Sequence, residues 1–215
     1  MKILIIGAHP DDEILGVGGT LCKHIEENGD DVYVCIVTKA YGPDWDDPYI
    51  NDKIIEQRKV DEFLKIKERY NLNLDTVKLN TIAHGELNKK ISEIVEIVNP
   101  DIVYTHYYGD LNYDHELVFR ASMVATRPPK EIKLICYETL SETEWNNKPF
   151  QPNCWINITN YIDKKIEAFT IYKSEVKVFP HPRSREGILA LANKRGTEIC
   201  VPYAESFMVI RSQWL

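Results

Sequence analysis

Lys2-Ile3-Leu4-Ile5-Ile6-Gly7-Ala8-His9-Pro10-Asp11-Asp12-Glu13 is the stretch whose reading sets the fold. Residues 3–6 are a continuous aliphatic run halted at Gly7, the pattern of a strand buried on both faces, as in a parallel sheet. A polar loop follows from His9 to Glu13, and residues 14–28 then read as a helix ending near Gly29. Residues 32–37 give a second buried strand, which completes a β-α-β unit.

Working outward, residues 41–51 form a turn-rich insertion, and an amphipathic helix is predicted over residues 53–69. Its apolar set is Ile54, Ile55, Val60, Phe63, Leu64 and Ile66. A short strand at 75–79, a helix at 87–98 and a buried strand at 101–105 come next. Beyond them lie a helix at 116–125 stopped by Pro128 and Pro129, and a strand at 132–137. A looser region holds a strand near 155–158 and helices near 161–172 and 185–194, and one or two strands close the chain over 198–210. Strands alternating with helices of this length predict an α/β fold with a mainly parallel sheet. No linker, repeat or composition break divides the chain, so residues 1–215 are read as one domain. In such sheets ligands bind beyond the carboxyl ends of the strands. That directs attention to the loops beginning at Gly7, Thr38, Leu79 and His106, and to the loop after Tyr137.

The 215 residues are 44% hydrophobic and 27% charged, enough for a buried core. The net charge of -7 argues against a nucleic-acid partner, which needs a basic face. Five scattered cysteines with no C-x-x-C pair suit reduced thiols. The apolar run after Met1 and Lys2 is too short for a signal-peptide core or a membrane span, so a soluble cytoplasmic protein is expected. Gly16-Val17-Gly18-Gly19 falls inside the first helix, where close helix–sheet packing explains it better than a dinucleotide loop does. No G-x-S-x-G elbow and no phosphate loop with a following lysine occurs.

The loop after the first strand places His9 and three carboxylates in five positions. One aspartate is accounted for as a helix cap. A histidine with two adjacent aspartates exceeds what a cap needs, and pooled like charge calls for a compensating cation. Both readings stand on residue types alone. A second cluster, residues 106–116, follows the strand at 101–105, with Asp114 read as cap of the next helix and His115 in its first turn. Joined to His9 and Asp12, His115 is a candidate third ligand, and three ligands plus water is the catalytic zinc pattern.

Ala8-His9-Pro10-Asp11-Asp12-Glu13 resembles the hallmark of the LmbE-like, or PIG-L-type, zinc N-deacetylases. Gly109-Asp110-Leu111-Asn112-Tyr113-Asp114-His115 is similar to that family's second motif. The likeness extends to Glu138-Thr139-Leu140-Ser141 and to Tyr203-Ala204-Glu205-Ser206-Phe207. The resemblance implies a single-domain, Rossmann-like three-layer sandwich. It implies zinc held by His9, Asp12 and His115, with Asp11 as general base. Many members carry a histidine where this chain has Asn112. An asparagine amide can donate to a developing oxyanion but supplies no proton. The acid role then passes to Asp11 itself, His106 or His181.

Arg58 is expected to contact substrate by the same likeness, against the plainer reading of a solvated helix arginine. His106 and His181 are expected near the substrate, although Ser184 as a helix cap explains part of His181-Pro182-Arg183-Ser184. Loop aromatics Tyr41, Trp45, Tyr107, Tyr108 and Trp145 offer stacking surfaces for a sugar. The implied reaction removes an acetyl group from an N-acetylated amino sugar or sugar conjugate. Two alternatives are a zinc amidohydrolase acting on a non-sugar N-acyl metabolite and a non-catalytic metal- or sugar-binding domain. No nucleic acid and no membrane span is expected, and a homo-oligomer is left open.

Overall fold

The aliphatic runs become strands of one sheet, and the amphipathic stretches become helices covering it. The computed structural model describes residues 1–213; Trp214 and Leu215, the end of the expected domain, lie outside the described residues. In chain order the elements are β1 (Lys2–Gly7), α1 (Asp12–Glu26), β2 (Asp31–Lys39), α2 (Asp47–Leu64), β3 (Glu68–Asp75), α3 (His84–Val98) and β4 (Ile102–His106). They continue as α4 (Tyr113–Ala125), β5 (Lys133–Tyr137), β6 (Cys154–Asn157), α5 (Ile162–Ile171), α6 (Arg185–Thr197) and β7 (Ala204–Arg211). The seven strands lie in the order β3-β2-β1-β4-β5-β7-β6. The pairings from β3 through β5 are parallel, and β7 runs antiparallel between β5 and β6.

Side chains alternate across each strand, so the two faces collect different partners. Ile3 and Ile5 pack with Leu15 and Leu21 of α1, Val60 of α2, Phe169 of α5 and Ile188 of α6. Leu4 and Ile6 face the other way, onto Leu87, Ile91 and Val95 of α3 and Val118 of α4. The result is the expected three-layer α/β sandwich with a mainly parallel sheet. A Cβ on Gly16 would come within 2.1 Å of the Tyr137 ring, and one on Gly19 within 2.8 Å of Ile158. The glycines of α1 therefore serve close helix–sheet packing. No helix among the described residues is long and apolar enough to cross a membrane.

Three local assignments differ from the sequence reading: the helix at 53–69, the strand at 75–79 and the cap of the helix predicted from residue 116. The helix predicted to reach residue 69 starts earlier, at Asp47, and stops at Leu64. Pro48 fits its first turn, where no N–H bond is lost, and Asp46 caps it by accepting from Tyr49 N–H. Lys65 then takes a left-handed conformation, φ 61°, which ends the helix, and Glu68–Asp75 becomes strand β3. The loop beyond β3 thus begins at Thr76 rather than Leu79. At α4 the cap is Asn112, whose side chain accepts from Asp114 N–H, and not Asp114.

Strand order fixes where a site can form. β1 lies between β2 and β4, and the chain departs from it in opposite directions, so a crevice opens at the carboxyl end between β1 and β4. The loops bearing His9 and His115 border that crevice.

Candidate active site

Three side chains converge at the crevice. His9 Nδ1 lies 3.3 Å from His115 Nε2 and 3.5 Å from Asp12 Oδ2, and His115 Nε2 lies 3.5 Å from Asp12 Oδ1. One ligand atom from each falls within 4.8 Å of the others. Each imidazole is turned by a carboxylate on its far side: Asp114 Oδ2 is 3.2 Å from His9 Nε2, and Asp110 Oδ2 is 2.9 Å from His115 Nδ1. With those outer nitrogens donating to carboxylates, the inner nitrogens present lone pairs to one another, the arrangement that orients metal-bound histidines.

Asp12 completes the fit to a cation. It is fully buried; Oδ2 accepts His9 N–H at 2.7 Å, and Oδ1 has no hydrogen-bond partner. A buried carboxylate oxygen without a partner costs about 1–3 kcal/mol or more, and a divalent ion removes that deficit. Burial pushes His115 well below the ordinary imidazole range, with the neighbouring His106 acting in the same direction, so its lone pair is free. Burial works against a charged His9 too, but Asp114 and Asp12 outweigh it and raise that ring to about 10. A proton on His9 and a metal ion answer the same local excess of carboxylate. A second set, His106, Asp110 and His115, is also close. There, however, Ala8 N–H already occupies His106 Nε2 at 2.8 Å and Asp110 takes the Nδ1 proton of His115. In the His9, Asp12 and His115 set, His115 offers its Nε2 lone pair, Asp12 an unpartnered oxygen, and His9 an Nδ1 that a metal ion would take in place of its proton.

Asp11 sits at the N-cap position of α1, yet its side chain caps nothing. Its Oδ2 meets Arg183 Nη1 at 3.1 Å, and the same nitrogen is 3.2 Å from Glu175 Oε2. Burial raises the Asp11 carboxyl well above its ordinary value, against the pull of Arg183. A cavity of about 300 Å³ opens beside it. Among its lining residues are Asp11, Trp45, Tyr49, Gln57, Asn112 and Arg183. Asn112 spends its Oδ1 on Asp114 N–H, which leaves the amide NH₂ as its donor end.

Other expected residues are placed differently. Arg58 is exposed and does not line the cavity; Lys53 and Gln57, on the adjacent face of α2, do. His106 is wholly buried beneath the cluster, stacked on His115 at 3.6 Å between centroids, and does not reach the cavity. His181 is half-buried, packs edge-on against Trp145 and accepts Arg183 N–H at Nδ1. Of the loop aromatics, Trp45 lines the cavity and Tyr107 packs against Phe150. Sequence reasoning gave no role to Glu175 or Asp110, and it named Arg183 only within the His181-Pro182-Arg183-Ser184 motif as part of a pocket lining. For Asp110 a signal existed, an acid five residues before a candidate ligand histidine.

The sequence profile of the PIG-L family, described as GlcNAc-PI de-N-acetylase, matches residues 4–126, which hold both motifs and all three converging side chains. The chain belongs to the PIG-L family. One relative, the uncharacterized deacetylase YaiS of Escherichia coli K12, is 33% identical over 181 residues, 80% of this chain and 90% of that protein. A probable N-acetyl-α-D-glucosaminyl L-malate deacetylase 2 of Bacillus anthracis is 26% identical over 80% of this chain and 80% of its own length. The structure of N,N′-diacetylchitobiose deacetylase from Pyrococcus horikoshii superposes with a TM-score of 0.76. It is 21% identical, covers 97% of this chain and 83% of that one, and is a likeness of fold.

Proposed function

We propose that this chain is a zinc-dependent N-deacetylase that removes the acetyl group from an N-acetylated amino sugar or sugar conjugate, giving a free amine and acetate. The observation that carries this reading is the buried Asp12 carboxylate set against the His9 and His115 imidazoles, its Oδ1 without a hydrogen-bond partner, with the Asp11 carboxyl close by at a cavity. Family membership and relatives named as deacetylases support it.

His9, Asp12 and His115 would hold the zinc ion, which when bound would supply Lewis acidity toward the amide carbonyl and toward water. Asp11 is the base: it accepts a proton from the attacking water as oxygen bonds to the acetyl carbon. The Asn112 NH₂ donates to the oxygen of that carbonyl as negative charge builds on it. Asp11 then returns its proton to the nitrogen as the C–N bond breaks, so one carboxyl serves both steps. Arg183 holds the Asp11 carboxylate at the cavity edge between turnovers. Trp45 and Tyr49 offer apolar faces and Gln57, Asn71 and Asn73 offer amides, a lining suited to a sugar ring.

The test is metal stoichiometry and acetate release from a panel of N-acetylhexosamines and their conjugates. Asp11→Asn should keep zinc and lose turnover by about 10²–10⁴-fold. A wild-type protein that retains no stoichiometric metal rejects the reading. Turnover of other N-acyl amides, with none of the sugars, moves it to the non-sugar amidohydrolase.

A further inference from the structure

Glu13 is completely buried in the first turn of α1 and takes no part in the chemistry described above. Its carboxylate is nevertheless held from several sides. Oε1 accepts from the Tyr172 hydroxyl at 2.6 Å and from Arg69 Nη2 at 3.0 Å. Arg69 is fixed in turn by Asp61, through Nε at 2.9 Å and Nη2 at 2.7 Å. Asp61 belongs to α2, Arg69 to β3, and Tyr172 follows α5. Segments distant in sequence thus immobilise one carboxylate whose other oxygen, Oε2, accepts the Asp11 backbone N–H at 3.1 Å.

The residue so gripped carries the strained backbone. Asp11 has φ 122°, a region that a residue with a Cβ avoids. Such conformations cost about 1–3 kcal/mol and persist only where the surroundings over-determine them. A simple cap reaching back to the N-cap N–H needs only an exposed glutamate. It needs no buried arginine and tyrosine behind it. The backbone conformation of Asp11 decides where its Cα–Cβ bond points, and so whether its carboxylate meets Arg183 at the cavity edge.

We propose that Glu13 is a positioning residue: held by Arg69 and Tyr172, it grips the Asp11 N–H, maintains the strained backbone and so aims the Asp11 carboxylate. The inference rests on the reading of Asp11 as the base.

The experiment compares zinc-loaded wild type with Glu13→Ala, Glu13→Gln and Tyr172→Phe by crystal structure, zinc content and acetate release from N-acetylhexosamine conjugates. In Glu13→Ala, Asp11 should relax to negative φ and leave Arg183, with zinc content unchanged. Its kcat should fall roughly 100-fold, while KM stays within about threefold. Glu13→Gln has one acceptor oxygen where Glu13 uses two, so with that oxygen on the Asp11 N–H its NH₂ faces the Arg69 guanidinium, and kcat should lie between those of Glu13→Ala and wild type. Tyr172→Phe, which removes only a hydroxyl, should fold and show an intermediate loss. Ile91→Ala, on the opposite face of the sheet, controls for stability: it should unfold earlier yet keep wild-type kcat. The proposal is overturned if Asp11 keeps positive φ and its Arg183 contact in Glu13→Ala and Tyr172→Phe, or if their kcat per folded molecule equals that of wild type. Failure of the deacetylase reading has a different signature, a wild type that releases no acetate, and the variant structures then decide the positioning claim alone.

Discussion

Asp110 and His115 face each other across 2.9 Å, Oδ2 to Nδ1, both buried, and this contact turns the Nε2 lone pair of His115 toward Asp12. A carboxylate behind an imidazole fixes its tautomer and raises its basicity as a ligand. Asp110→Asn keeps the shape and removes the charge, so zinc affinity should fall about 10–100-fold. Competition with a chromogenic chelator measures this; an unchanged dissociation constant would show that His115 needs no such partner.

Arg183 reaches Asp11 at 3.1 Å, Glu175 at 3.2 Å and Glu142 at 3.5 Å. Arg183→Met leaves those carboxylates without their shared guanidinium. The expected loss of stability is about 2–3 kcal/mol. That is below the ~3–5 kcal/mol typical of breaking a fully buried pair, because the arginine keeps some contact with water. Urea unfolding at neutral pH reads it, and a shift within error would mean that water already screens the cluster.

Gly16 has no room for a methyl group, since its Cβ would meet the Tyr137 ring at 2.1 Å. Tyr137 cannot simply step aside, because its hydroxyl donates to Ile6 carbonyl at 2.9 Å. Gly16→Ala should therefore destabilise the chain by about 1–3 kcal/mol through overpacking. Thermal melts test it, and a stable alanine variant would mean that α1 can move off the sheet without penalty.

Glu198 supplies an acid-side dependence remote from the cluster. Burial opposes its ionisation, but Lys194, Trp155 and Arg195 outweigh that and hold it down to about 2, against an ordinary value of 4.5. The unfolded chain therefore takes up this proton first as pH falls. The stabilisation is full above about 4.5 and is lost as pH drops from there toward about 2. Glu198→Gln should lower Tm at pH 6 and show a smaller difference from wild type near pH 2.5. A difference that is constant across that range contradicts the linkage.

Much of this site could be read from the sequence because its parts are local. His9, Asp11 and Asp12 share one loop, and the aliphatic run before them marks the strand that presents it. The α2–β3 boundary was less legible. Ile66 continues the apolar pattern and extends the predicted helix to Arg69, whereas a left-handed Lys65 ends that helix and Arg69 enters a strand. Its contact with Glu13 was hidden by that error. The family likeness points to Arg58 as a substrate contact, but a likeness in residue type says nothing about helix phase. Burial of Val60 and Leu64 sets the rotation of α2 and leaves Arg58 in solvent.

By itself the sequence determined the α/β alternation, the polar loop after β1 and the chemical character of the residues there. Periodicity and chain adjacency encode those directly. Which distant residues complete the site was decided only by the tertiary structure. His9 and His115 are 106 positions apart and meet at 3.3 Å because β1 pairs with β4, with Leu4 opposite Val103. The roles of Arg183, Asp110 and Glu13 also follow from burial, since a charge removed from water takes the nearest partner in space, however far away in the chain.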